Sequence, residues 1–181
     1  MSATPPQEPL VSTLVDHLRR IVGSAHVLTR DGGTDLSAWE QDWRKRAHGQ
    51  ALAVVRPGNT DEVVAVVQAC AAAGHSIVPQ GGNTGLVVGS VPDDSGSQVL
   101  LSLTRLNRVR AIDPANLTLT VEAGCVLQAV QEAADRAGLL FPLSLAAEGS
   151  CTSGGTLATN AGGTQVLRYG NARELCRGLE V

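Results

Sequence analysis

Nine of the 20 glycines in this 181-residue chain fall into two short segments. Gly81, Gly82, Gly85 and Gly89 form the first, and Gly149, Gly154, Gly155, Gly162 and Gly163 form the second. A glycine-rich turn leaving a strand lets backbone N–H groups converge on an anion, because a missing Cβ permits φ > 0 and close approach. Phosphate is the usual guest of such turns. No Lys or Arg occurs from Pro57 through Thr104 or from Ala137 through Leu167, so neither segment can hold an anion with cations of its own. Acids are scarce as well: Val63 to Pro92 has none, and the second segment has only Glu148 near its start. A diphosphate bound here would be held by peptide N–H groups and by the side chains of Asn83, Thr84, Ser150, Ser153, Thr156, Thr159 and Asn160. A helix starting near Gly154 would add the positive end of its dipole, worth about 0.3–1 kcal/mol for an exposed charge.

Other chemistries find less support. The chain has no Gly-x-Gly-x-x-Gly and no Gly-Lys pair, which excludes a Rossmann fingerprint and a P-loop. Cys70, Cys125, Cys151 and Cys176 form no Cys-x-x-Cys and read as buried or free thiols; no metal-ligand set is identified. His17, His26, His48 and His75 are scattered, and none is assigned a catalytic role. Lys and Arg total 14 against 17 acids, a net charge of -3, with Lys45 the only lysine, so no polybasic face exists to follow a nucleic-acid backbone. Aromatic residues make up 2%, too few for base-stacking platforms. The first residues, Met1 to Pro9, lack the basic and apolar regions of a signal peptide, and no later apolar run reaches membrane-spanning length. The expected location is cytoplasmic. At 43% hydrophobic, the composition describes a globular chain of about one domain with a core of Val, Leu, Ile and Ala.

The elements that must present the glycine segments are legible from periodicity. Leu10, Leu14, Leu18 and Ile21, with Val11, Val15 and Val22, predict an amphipathic helix stopped by Gly23. Gly32 to His48, including both tryptophans and the cluster Asp42 to Arg46, reads as an irregular solvated arm. Leu52–Val55 predicts a buried strand, Asn59 with Glu62 a capping box, Val63 to Cys70 a helix stopped at Gly74, and Ser76–Pro79 a second strand. Residues 51–79 thus form one βαβ unit delivering the chain into Gln80–Gly85. Val99–Leu103 and Leu117–Val121 predict strands separated by a turn around Asp113–Asn116. A third helix carries Val126, Leu127, Val130, Ala133, Ala134 and Ala137 up to Gly138, and Gly178–Val181 resembles the first half of a strand.

Pro79 to Val87, followed by Gly89-Ser90-Val91-Pro92, resembles the diphosphate-binding loop of FAD-linked oxidoreductases of the vanillyl-alcohol oxidase/PCMH superfamily. Phe141-Pro142-Leu143 through Glu148 to Gly155, Ala158 to Gly163 and Arg168-Tyr169-Gly170 is similar to the second FAD loop of that superfamily, and Val121 to Leu127 matches a supporting run. Within it the sequence is most similar to the D-lactate, glycolate and D-2-hydroxyglutarate dehydrogenase group. The resemblance implies an α+β, PCMH-type two-subdomain FAD-binding fold, incomplete at its C-terminal end. Residues 1–50 would be an N-terminal helix and arm, and 51–181 the FAD-binding domain. It implies that Gln80, Gly81, Gly82, Asn83, Thr84, Gly85 and Leu86 wrap the diphosphate and that Gly89 and Ser90 continue that wall. Pro142, Gly149, Ser150, Gly154, Gly155, Ala158, Thr159, Asn160 and Gly162 would line the rest of the cofactor. Thr84 stands near the place where some members tether flavin through a histidine, so the FAD is expected to be non-covalent. Val88 departs from the family pattern, which commonly has another glycine there. The implied reaction moves a hydride from the Cα of a small 2-hydroxyacid to flavin, then electrons to an acceptor other than NAD. Family enzymes carry their catalytic histidines and substrate arginine in a further domain that this chain does not include. Two alternatives stand beside this reading: a truncated, non-catalytic flavin-binding fragment, and a reductase of the UDP-N-acetylmuramate dehydrogenase type.

Overall fold

The computed structural model describes residues 8–181, with side chains from Thr13 onward. The expected leader and the side chains of Leu10 and Val11 lie outside the described residues. In chain order the elements are α1 (Glu8–Val22), a 3-10 turn (Ser24–His26), β1 (Val27–Leu28), α2 (Ser37–Glu40), β2 (Ala51–Val55), α3 (Thr60–Ala72) and β3 (Ile77–Gln80). After the first glycine loop come β4 (Gln98–Ser102), β5 (Val109–Asp113), β6 (Thr118–Val121), α4 (Leu127–Arg136), α5 (Ser153–Ala158) and α6 (Val166–Tyr169). The chain divides into two compact units. Unit 1 runs to Pro79 and takes in Val87–Ser102; unit 2 comprises Gln80–Leu86 and Leu103–Val181.

Unit 1 is built on a four-stranded sheet in the order β1-β2-β4-β3. β2 and β4 pair in parallel, with Val54 opposite Leu100, and Val54, Val55, Val99, Leu100 and Leu101 are buried, as apolar runs in a central parallel pair require. The βαβ expectation holds with one addition: β4 comes later in the chain and inserts between β2 and β3. α3 begins with the capping box. Asn59 Oδ1 accepts from Glu62 N at 2.8 Å, Asn59 Nδ2 donates to Glu62 Oε1 at 3.1 Å, and the helix is followed by Gly74 at φ +72°. α1 packs against α3 and β2 and buries Leu14, Leu18 and Val22.

The arm from Gly32 to His48 is a correction. Trp43 is exposed at the tip of a turn, but Leu36, Glu40 and Asp42 are buried, and Trp39 packs on the core of Leu36, Ala51, Val54 and Leu100. Glu40 explains the burial. Its carboxylate accepts both contacts of the Arg30 Nη2 donor, at 2.5 and 2.6 Å, and the N–H of Ala51 at 2.7 Å, which ties the arm to the first residue of β2. Asp42 accepts the N–H groups of Arg44, Arg46 and Ala47 and so closes its turn from inside.

Unit 2 holds the antiparallel β5-β6 pair and a core of Leu127, Leu143, Cys151 and Ala172, with Phe141, Leu145, Leu157 and Ala161 against it. β5 is a strand that periodicity does not reveal, because the alternation Val109-Arg110-Ala111 lasts only three residues before Ile112 breaks it. The turn after it is as expected, with Asp113 Oδ1 accepting from Ala115 N and Asn116 N. Gly178–Val181, expected to begin a strand, has no regular structure. Among the described residues no helix is long and apolar enough to cross a membrane.

One carboxylate anchors the hairpin to the segment that follows it. Glu122 is buried and accepts from Arg108 N at 2.9 Å, Arg108 Nε at 3.0 Å and Arg108 Nη2 at 2.8 Å, with Arg110 Nε 3.5 Å away. The hydrogen bond from the Arg108 guanidinium is the main reason its carboxyl sits below the ordinary glutamate value of 4.5; burial opposes it. A carboxyl depressed in the folded state adds stability that is complete above the unfolded value and is lost as the pH falls through the folded one. Urea midpoints measured against pH should therefore decline below about 4.5, and Glu122→Gln should make that decline shallower. An identical acid limb in the variant would mean that the pair contributes nothing.

Candidate cofactor-binding site

Residues Gln80–Leu86 of the first glycine segment meet the second segment inside unit 2. β3 delivers the chain to Gln80, which is buried and whose carbonyl accepts from Leu103 N at 2.9 Å. The next two residues lie directly on the second segment: a Cβ on Gly81 would collide with the Thr152 hydroxyl, and one on Gly82 with the Ser150 carbonyl. These two glycines are required by chain-on-chain approach. Gly85 is different, since a Cβ there would meet nothing within 4 Å. Asn83 takes the left-handed conformation at φ +52°, which asparagine tolerates better than most residues.

The second segment is held from the other side by the run after β6. Val126 and Thr152 form an isolated antiparallel bridge; Ser153 N donates to Cys125 O at 2.9 Å and Gly154 N to Ala123 O at 2.7 Å. Gly154 sits so close that its Cβ would lie 2.9 Å from the Ala123 Cβ. The expected anion-binding helix start at Gly154 is thereby corrected: α5 has six residues, and its first two N–H groups are already given to backbone carbonyls. Several of the expected polar side chains are also engaged as donors. Ser153 Oγ donates to Cys125 O, Thr156 Oγ1 to Ser153 O and Thr159 Oγ1 to Gly155 O. Asn160, left-handed at φ +50°, accepts the N–H of Arg173 on its Oδ1 at 3.1 Å. Glu148, the acid of this segment, is turned onto its own loop by Ser144 Oγ at 2.6 Å and Leu145 N at 3.2 Å, and the Ser144 bond chiefly lowers its carboxyl from the ordinary value.

The remaining expected residues fall in three places. Leu86 is exposed at the end of the first loop. Gly149, Ser150, Gly155, Ala158, Thr159 and Gly162 are exposed along the second segment, while Pro142 is half-buried before it. Gly89 and Ser90 belong to unit 1, where a Cβ on Gly89 meets nothing within 4 Å. Sequence reasoning missed Thr152. It precedes α5 at the N-cap position without capping it, and its hydroxyl is buried without a hydrogen-bond partner among the described residues. Its signal, a threonine before Ser153-Gly154-Gly155, is legible only as an N-cap. Among the described residues no group of three or more His, Cys, Asp or Glu could hold a metal ion.

Residues 51–181 match the family described as FAD binding domain. The chain belongs to this FAD-binding family. The D-2-hydroxyglutarate dehydrogenase of Xanthomonas citri pv. viticola is 46% identical over 147 residues, covering 81% of this chain and 31% of its own length. The mitochondrial D-2-hydroxyglutarate dehydrogenase of Arabidopsis thaliana is 35% identical over 178 residues, covering 96% of this chain and 31% of its own. This chain thus spans about a third of the length of such relatives. Solved structures share the fold: alkyldihydroxyacetonephosphate synthase superposes with a TM-score of 0.81 at 19% identity, covering 98% of this chain and 33% of that one. p-Cresol methylhydroxylase superposes at 0.64 with 21% identity, over 86% of this chain and 30% of that one. The PCMH-type FAD-binding architecture that the resemblance implies is the observed one, and FAD is the cofactor. The residues expected to hold FAD suit a diphosphate: a cation-free backbone surface, an open position at Gly85 and the unpartnered Thr152 hydroxyl beside Gly81.

Val88 gives the family's glycine position a physical meaning. Its φ is +67°, a conformation that costs a non-glycine residue about 1–2 kcal/mol, and more for a β-branched one. Replacing it restores the residue the backbone asks for, offset in part by the greater freedom of glycine in the unfolded chain. Val88→Gly should raise the unfolding free energy by about 1 kcal/mol in urea titrations. A destabilised variant would show that side-chain packing at Val88 outweighs the backbone conformation.

Proposed function

We propose that this chain is the FAD-binding part of a flavin-dependent 2-hydroxyacid dehydrogenase acting on a D-2-hydroxyglutarate, D-lactate or glycolate-like substrate. The observation that carries the reading is the seating of Gly81 and Gly82 on Ser150 and Thr152, which makes one surface from two glycine segments. On this reading 51–181 is the cofactor domain and 1–50 its N-terminal helix and arm. Gln80 to Leu86, with Gly89 and Ser90, hold the diphosphate, and Pro142, Gly149, Ser150, Gly154, Gly155, Ala158, Thr159, Asn160 and Gly162 line the rest. FAD, when bound, supplies the acceptor for a hydride leaving the substrate Cα. The protein's own part here is to bind and orient: peptide N–H groups offset the diphosphate charge, and the exposed faces of Gly155, Ala158 and Gly162 admit close approach. The FAD is non-covalent, the acceptor is a second molecule other than NAD, and the compartment is the cytoplasm. The 46% identity with a D-2-hydroxyglutarate dehydrogenase supports the substrate class. In a second reading the chain by itself holds flavin without turning over.

The test starts with the wild-type chain incubated with FAD and passed through gel filtration. The flavin should co-elute and be released by acid precipitation, whereas flavin that stays with the precipitate would contradict non-covalent binding. Gly82→Asp, which places bulk against the Ser150 carbonyl and a negative charge beside the diphosphate, should lower retention by about tenfold or more. A folded wild-type chain that stays colourless overturns the reading. Anaerobic addition of each hydroxyacid separates the remaining readings: bleaching of the flavin identifies the substrate, and retained flavin that no hydroxyacid bleaches favours binding without turnover.

A further inference from the structure

We propose that Arg173 is a positioning residue for the flavin site, acting through the backbone of residues 157–160. This rests on the cofactor reading above and adds a residue that neither glycine segment contains. The last carbonyls of a helix have no partner within it. In α5 one side chain reaches two of them: Arg173 Nε donates to Leu157 O at 2.9 Å, which also accepts Asn160 N at 3.2 Å, and Nη2 donates to Ala158 O at 2.8 Å. The main-chain N–H of the same residue donates to Asn160 Oδ1 at 3.1 Å, and that of Ala172 to Ala161 O at 2.9 Å. Four of the five residues from Leu157 to Ala161, all but Thr159, are thus bonded to Ala172 or Arg173.

The clamp is itself rigidly held. Ala172 is buried in the core with Leu127, Leu143 and Cys151. Asn171 N donates to Glu174 Oε2 at 3.0 Å and Glu174 N to Asn171 O at 3.0 Å, which closes the turn from which Arg173 projects. Gly170, at φ +80°, gives the turn room, since a Cβ there would strike Glu174. The Arg173 side chain is exposed, so its removal takes little apolar surface from the core. A planar guanidinium is required because its two N–H groups reach two carbonyls at once, and its charge lies at the negative end of α5. Of the residues so bonded, Ala158 and Asn160 are among those assigned to the flavin above; Asn160 is also held left-handed there.

The experiment compares wild type, Arg173→Ala and Arg173→Lys in three measurements: the FAD dissociation constant by flavin fluorescence quenching, the visible circular dichroism of the bound flavin at saturation, and the urea midpoint of the flavin-free chain. The alanine variant keeps the main-chain bond to Asn160 and loses only the guanidinium. It should weaken FAD binding about tenfold and alter the bound-flavin dichroism, with a small shift in urea midpoint. Lysine, which reaches one carbonyl at a time, should recover part of the affinity. Wild-type affinity and dichroism in the alanine variant would overturn the inference and leave the cofactor reading standing. Weaker binding with unchanged dichroism and a loss of stability to match would also overturn it, as a purely structural role. A wild-type chain that binds no FAD would overturn both.

Discussion

Backbone has to touch backbone in unit 2, and side chains larger than hydrogen would prevent it. Gly82 rests on the Ser150 carbonyl and Gly81 on the Thr152 side chain. Gly124 lies against the carbonyls of Leu103 and Leu106, Gly154 against Ala123 and Gly163 against the Ser144 carbonyl. Each contact joins stretches distant in sequence, and together they align the first loop, the run after β6 and the second loop. A chain with four aromatic residues cannot wedge such segments apart and fill the gap; it closes them instead. The surface proposed for the cofactor is a by-product of this closure.

Charge is distributed so that the surface stays neutral while its supports do not. Arginines act from outside the glycine segments: Arg108 and Arg110 on the buried Glu122, and Arg173 on the carbonyls of Leu157 and Ala158. Each carries a guanidinium to backbone or carboxylate that shapes the loops, and Glu148 is kept on its own turn by Ser144. On the proposed reading, an incoming diphosphate would meet chiefly peptide N–H groups, with the nearby carboxylate of Glu148 bonded to its own turn. The same logic governs unit 1, where Glu40 binds Arg30 and the first residue of β2, the strand that pairs with β4.

What was legible in the residues is what local physics decides. Asn59 and Glu62 announce the start of α3, Gly23, Gly74 and Gly138 mark helix ends at positive φ, and Asp113 its turn. Features needing a distant partner were not legible. Nothing near Glu40 foretells Arg30 and Ala51 as its partners, and nothing in β2 or β3 foretells that β4 enters between them. The two glycine segments stood out as a site, but composition cannot separate glycines that serve chain contact, such as Gly82 and Gly154, from an open one such as Gly85. Nor does it show that the first N–H groups of α5 are spent on Ala123 and Cys125.

The central claim is that both glycine segments contact one FAD. Amide hydrogen exchange read by mass spectrometry, with and without FAD, tests it most directly. The account predicts that FAD slows exchange in residues 80–86 and in residues 149–162 together, at the same FAD concentration. Slowing in one segment alone, or in neither, would contradict it.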